Sequence, residues 1–138
     1  MKYALDLQDE LFSLFTMDAE ICALLGINDS TDIVECSTKI RRGIQPVKTV
    51  NDGPNLFFTY FVVPSYSIGT GNYLTNGAII EFDIYGKYKG QMSKLFRAVN
   101  RVLKENYEDM RIIAEGNVDS PVVGLYLYMF RIKPLVKA

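Results

Sequence analysis

The sequence predicts an α+β fold: a mixed, mainly antiparallel sheet of about four strands, with N-terminal helices and one long amphipathic helix packed on it. Three observations predict it. The segment QMSKLFRAVNRVLKENY (91–107) puts Met92, Leu95, Phe96, Val99, Val102 and Leu103 at the i, i+3, i+4, i+7 spacing of one helical face. The segment AIIEFDIYG (78–86) alternates, with Ile80, Phe82 and Ile84 opposite Glu81, Asp83 and Tyr85, as a half-solvated strand does. Two further segments, LFFTYFVV (56–63) and 122–132, are apolar on both faces, which marks strands covered twice. The 138 residues form a single domain, 1–138, and the 49% apolar and 22% charged fractions are those of a folded chain rather than a disordered one.

The elements follow in order. Leu7, Leu11, Leu14 and Phe15 share one arc of a first helix, with Phe12 at its margin and Asp6 placed to cap it. A second helix, about 18–25, starts at Asp18 and stops at Gly26, and its apolar residues are Ile21, Leu24 and Leu25. Together they read as a helical hairpin, or one kinked helix, lying on the sheet. Residues 27–55 are the least regular part: INDSTD is a turn cluster, DIVECSTKIRRGIQP holds a short strand, and VKTVNDGPN is a loop.

If 56–63 pairs with 78–86, the connection 64–77 is far longer than the roughly two to five residues of ordinary hairpins. Tyr66, Ile68, Tyr73 and Leu74 give it apolar content, and Asn76-Gly77 is a turn signal. It reads as a β-arm lying on a neighbour or as a long surface loop. A weaker strand, RIIAEGN (111–117), precedes the last one, in which Leu125, Leu127 and Met129 oppose Tyr126, Tyr128, Phe130 and Ile132. One layer of helices cannot cover both faces of such a sheet. The second apolar face is therefore expected to be sheltered by another subunit, with Tyr66, Ile68, Tyr73, Leu74, Tyr126, Tyr128 and Phe130 as the contact.

Charge and chemistry narrow the function. A net charge of −1 supplies no overall attraction to nucleic acid or anionic lipid. No stretch is apolar enough to span a membrane, and MKYALDLQDELF has acids where a secretory signal needs a basic region, so a cytosolic chain is expected. The chain has no histidine, which removes the usual base of nucleophilic triads and the usual zinc imidazole. Its two cysteines, Cys22 and Cys36, are expected to be free and structural; spacing alone does not exclude a disulfide, but an intracellular chain keeps such thiols reduced. No phosphate loop, dinucleotide fingerprint or calcium loop is present. The expectation is no enzyme, no cofactor and no metal.

Two basic groups stand out. Lys94, Arg97, Arg101 and Lys104 share the polar arc of the 91–107 helix, and Arg41 and Arg42 lie with Lys39 in the irregular region. The first group reads as a solvated face, a salt-bridging subunit contact or a phosphate-binding stripe. The second reads as solvated loop charge or as a docking surface for an acidic partner or DNA backbone.

The opening ELFSLF…DAEICALLG, the strand-to-helix unit AIIEFDIYGKYKGQMSKLFRAVNRVL and the closing GLYLYMFRIKP resemble the tail-terminator and tail-completion (head–tail joining) proteins of long-tailed bacteriophages. The resemblance covers most of the chain except 27–55. It implies a structural virion protein of the tail or neck, assembled in the host cytoplasm. It further implies a homo-oligomeric ring of about six subunits that stops tail-tube growth, with the tail tube protein and a neck or connector protein as partners and DNA passing passively through the bore. A small-ligand or regulatory binding module of α+β type, another neck or tail component, and an enzyme using a buried carboxylate are the alternatives.

Overall fold

A computed structural model describes residues 4–43, 54–63, 79–108, 110–133 and 136–137. Helices α1 (Ala4–Thr16), α2 (Ala19–Leu25) and α3 (Ile33–Lys39) come first, followed by strands β1 (Ile40–Arg42), β2 (Leu56–Val62) and β3 (Ile80–Gly86). Helix α4 (Lys89–Asn106) then leads to β4 (Tyr107–Glu108), β5 (Arg111–Val118), β6 (Tyr126–Lys133) and β7 (Val136–Lys137). The fold is α+β. Its main sheet has five strands where about four were expected, in the order β1-β2-β3-β6-β5. Only the β1–β2 pairing in it is parallel; the other three are antiparallel. The fifth strand is β1, three residues long. Strands β4 and β7 make a separate antiparallel pair.

Local chemistry explains most of the boundaries. Asp18 caps α2 by accepting the Ile21 N–H at 3.1 Å, and Gly26 ends the helix in the left-handed region at φ 70°, where a side chain would be strained. Asp6 falls inside the first turn of α1 and is not its cap. Helix α3 is a correction: the segment expected to contribute only a strand begins as a helix, with Asp32 accepting the Glu35 N–H at 2.8 Å. Its single buried residue is Cys36, and the strand starts only at Ile40.

The helices lie on one face of the sheet. That face is built from cross-strand rows: Phe58–Ile84–Tyr128, Tyr60–Phe82–Phe130 and Val62–Ile80–Ile132. Against it pack Leu7, Leu11 and Phe15 of α1 and Leu95, Val99 and Val102 of α4. Phe15 sits edge-on to Phe58, Tyr60 and Phe82 at 5.3, 5.5 and 6.0 Å between ring centres. The Tyr60 hydroxyl donates to the Gln8 carbonyl at 2.8 Å, which fixes α1 on β2. Each fully buried side chain of this kind stabilises by roughly 1.5–3 kcal/mol. Gly86 lets α4 approach closely, since a Cβ there would strike the Met92 side chain.

The opposite face corrects the expectation of a bare apolar surface awaiting a neighbour. Phe57 stacks on Tyr85 at 4.9 Å, and Val122, Leu125 and Leu127 complete a second small apolar cluster there. Phe57, Thr59, Tyr85 and Leu127 are buried within one copy. In register between and beside them stand Glu81, Asp83 and Arg131, so this face is mixed rather than apolar.

Candidate functional site

Among the described residues, a concavity of about 510 Å³ lies between the first half of α4 and the β6–β5 side of the sheet. Its apolar wall is Phe96, Tyr126 and Tyr128, and its cations are Lys89 and Arg97. Phe96 is held edge-on to Tyr128 at 5.4 Å and to Phe130 at 4.9 Å, so α4 and β6 set the shape of the floor together. The Tyr128 hydroxyl donates to Glu115 Oε2 on β5 at 2.6 Å. Burial first, and the Glu115 contact second, push the Tyr128 phenol up to about 12, so it keeps its proton at neutral pH. Tyr126 is half exposed and carries Lys89 Nζ at 4.7 Å from its ring centre. Arg97 Nε donates to Ser93 Oγ at 3.4 Å, a weak tie that leaves the guanidinium presented to solvent. Asn100 also lines the groove, and its Oδ1 is buried with no hydrogen-bond partner among the described residues. Aromatic walls with two cations suit an apolar group that carries negative charge.

A second cluster sits on the other face of the sheet. Arg131 Nε donates to Glu81 Oε1 at 2.8 Å. Next to this pair Asp83 is pushed up to about 7, by burial first and then by the negative Glu81, with Arg131 pulling the other way. Sequence alternation had placed Glu81 and Asp83 on a solvated strand face; beside Arg131 and Met129 of the neighbouring strand they are half-buried instead. That pairing is the signal that a single strand could not supply.

The sequence-derived site residues fare unevenly. Tyr66, Ile68, Tyr73 and Leu74 lie outside the described residues. Tyr126 and Tyr128 border the groove. Phe130 is a correction: it is fully buried, stacked on Phe82 at 4.8 Å, and has no surface to offer a partner. Lys94, Arg97 and Lys104 form an exposed row on α4. Arg101 leaves that row, because it clasps Asp18 at 2.8 Å, Glu20 at 3.4 Å and Glu105 at 3.2 Å. The Arg41–Arg42 patch is also corrected. Arg41 is 3% exposed, with its guanidinium 4.3 Å over Phe57 and its Nε donating to the Thr38 carbonyl at 2.8 Å. Arg42 pairs with Asp9 at 2.7 Å and lies 4.2 Å over Phe12. Both cations are used inside the fold to join α1, α3 and the β1 edge. Cys22 and Cys36 are free thiols, Cys36 buried and Cys22 half-buried. The groove itself went unread in the sequence, although the alternate aromatics Tyr126 and Tyr128 facing a lysine- and arginine-bearing helix are its trace.

No protein-family model matches the chain, and no curated protein matches it.

Proposed function

We propose that this chain is a structural assembly protein, a ring-forming tail terminator or tail-completion protein of a long-tailed bacteriophage. It caps the tail tube and joins it to the neck, and it works by shape and shared burial with no bond made or broken. The observation that carries the reading is strand β5. It is eight residues long, stands at the edge of the sheet among the described residues, and exposes Arg111, Ile113, Ala114, Glu115, Asn117 and Val118, side chains from both of its faces. Natural proteins rarely leave so long an edge open, because its unpaired N–H and C=O groups invite another chain. A subunit that must join copies of itself, or a tube, uses that edge.

A polymerising tail tube protein provides the test. Adding this chain should shorten the tubes and leave a ring at one end in electron micrographs. Unchanged tube lengths with undecorated ends would overturn the proposal. The groove favours a second reading, a small-ligand binding module, because aromatic walls with a few convergent polar groups are typical of ligand pockets. A monomer whose melting temperature rises with one small anionic compound, and that ignores tubes, would select that reading instead.

A further inference from the structure

We infer that neighbouring copies join by seating the exposed face of α3 from one copy in the α4–β6 groove of the next. This rests on the ring-forming reading and supplies its contact. Helix α3 displays Ile33 and Val34 with 62% and 71% of their surface exposed, two β-branched side chains that the fold leaves unburied. Around them the exposed carboxylates are Asp29, Asp32 and Glu35. Glu35, itself exposed, pairs with the mostly buried Lys39 at 3.5 Å. The groove presents the complement: an aromatic wall of Phe96, Tyr126 and Tyr128, with Lys89 and Arg97 as its charged lining. The carboxylate nearby, Glu115, already accepts the Tyr128 hydroxyl. An apolar, acidic knob therefore matches an aromatic, basic socket.

Their placement in the fold strengthens the match. Helix α3 leads directly into β1, one edge strand of the sheet, while the groove lies over β6 beside β5, the other edge. A knob and a socket at opposite edges of one subunit make a heterologous contact, repeated head to tail, which closes into a ring when the rotation permits. A two-fold dimer does not use such a pair of surfaces in this way. The knob alone is smaller than the roughly 800 Å² per partner of a stable interface, so it acts as the anchor of a contact that the open β5 edge extends.

The test uses the full chain in sedimentation velocity over a range of concentrations at low salt, with Glu35→Arg, Arg97→Glu, the Glu35→Arg/Arg97→Glu pair, and Ile33→Ser/Val34→Ser. All substituted positions are exposed, and unchanged thermal unfolding of the dilute proteins checks that each variant folds. Each charge reversal should weaken assembly by about tenfold or more, and the apolar double variant likewise. The paired reversal should restore most of the lost affinity, a rescue that general surface damage does not produce. If the parent chain assembles and all variants assemble equally well, this contact is wrong while the ring reading stands. If the parent chain stays monomeric at every concentration, the ring reading falls with it.

Discussion

Replacing Phe130 by Ala tests where the helix layer lies. The ring is fully buried, 4.8 Å from Phe82 with the planes 6° apart, and 4.9 Å from Phe96 at 89°. Truncating such a side chain removes its transfer energy and leaves a cavity, together about 3–5 kcal/mol. The two aromatic pairs account for roughly 0.5–1.5 kcal/mol each within that sum. A domain of this size has about 5–15 kcal/mol in all, so Phe130→Ala should cost a large share of it and lower the melting temperature by about 10 °C or more. Tyr126, four residues earlier on the same strand face, is 50% exposed, and its replacement by Ala should cost no more than about 1 kcal/mol. Urea unfolding followed by circular dichroism measures both. The loss at Phe130 should not depend on protein concentration, since the ring is buried within one copy. A loss below about 1 kcal/mol, or one that disappears on dilution, would refute the burial argument.

Two further outcomes follow from the charged groups. Asp83 titrates at about 7 in the fold against 3.8 ordinarily, so the folded state holds a proton that the unfolded chain gives up. Stability should therefore fall as pH rises from about 4 to about 7. At 1.36 kcal/mol per pH decade the effect is bounded near ~4 kcal/mol, and partial solvent access reduces it to ~1–2 kcal/mol. Asp83→Asn should remove this decline, so that its advantage over the parent chain is absent near pH 4 and full at pH 8; parallel curves for the two proteins would contradict the assignment. Arg101→Ala should cost about 1 kcal/mol, more at low salt than at high, because it opens the α2–α4 clasp to Asp18, Glu20 and Glu105. Chemical denaturation at two ionic strengths reads it, and a cost indifferent to salt would show that packing of the arginine stem is what matters.

Where one face alone is apolar, the sequence was sufficient. The stripe of α4, the inward row Ile80, Phe82 and Ile84 of β3 and the Asp18 to Gly26 bounds of α2 are all found as read. Helix α3 was illegible because periodicity needs inward apolar residues, and this helix buries only Cys36 while turning Ile33 and Val34 outward. Strand β6 was legible as a strand but ambiguous in orientation. Both its rows are apolar, and only the register that sets Phe130 beside Phe82 shows which row the helices cover. Arg41 misled for a related reason: an arginine reads as surface, yet its planar cation can lie buried over an aromatic ring, here Phe57. The acids Glu81 and Asp83 are half-buried by neighbours far away in sequence, which no local pattern reports.

The central claim is that opposite edges of one subunit fit each other, so that copies close into a ring. Native mass spectrometry of the purified chain at micromolar concentration tests it most directly. The expected result is a single closed multiple of the 15.6 kDa chain, near six copies, that loses subunits when Arg97 becomes Glu. A lone 15.6 kDa species at every concentration, or a dimer that ignores that substitution, would contradict it.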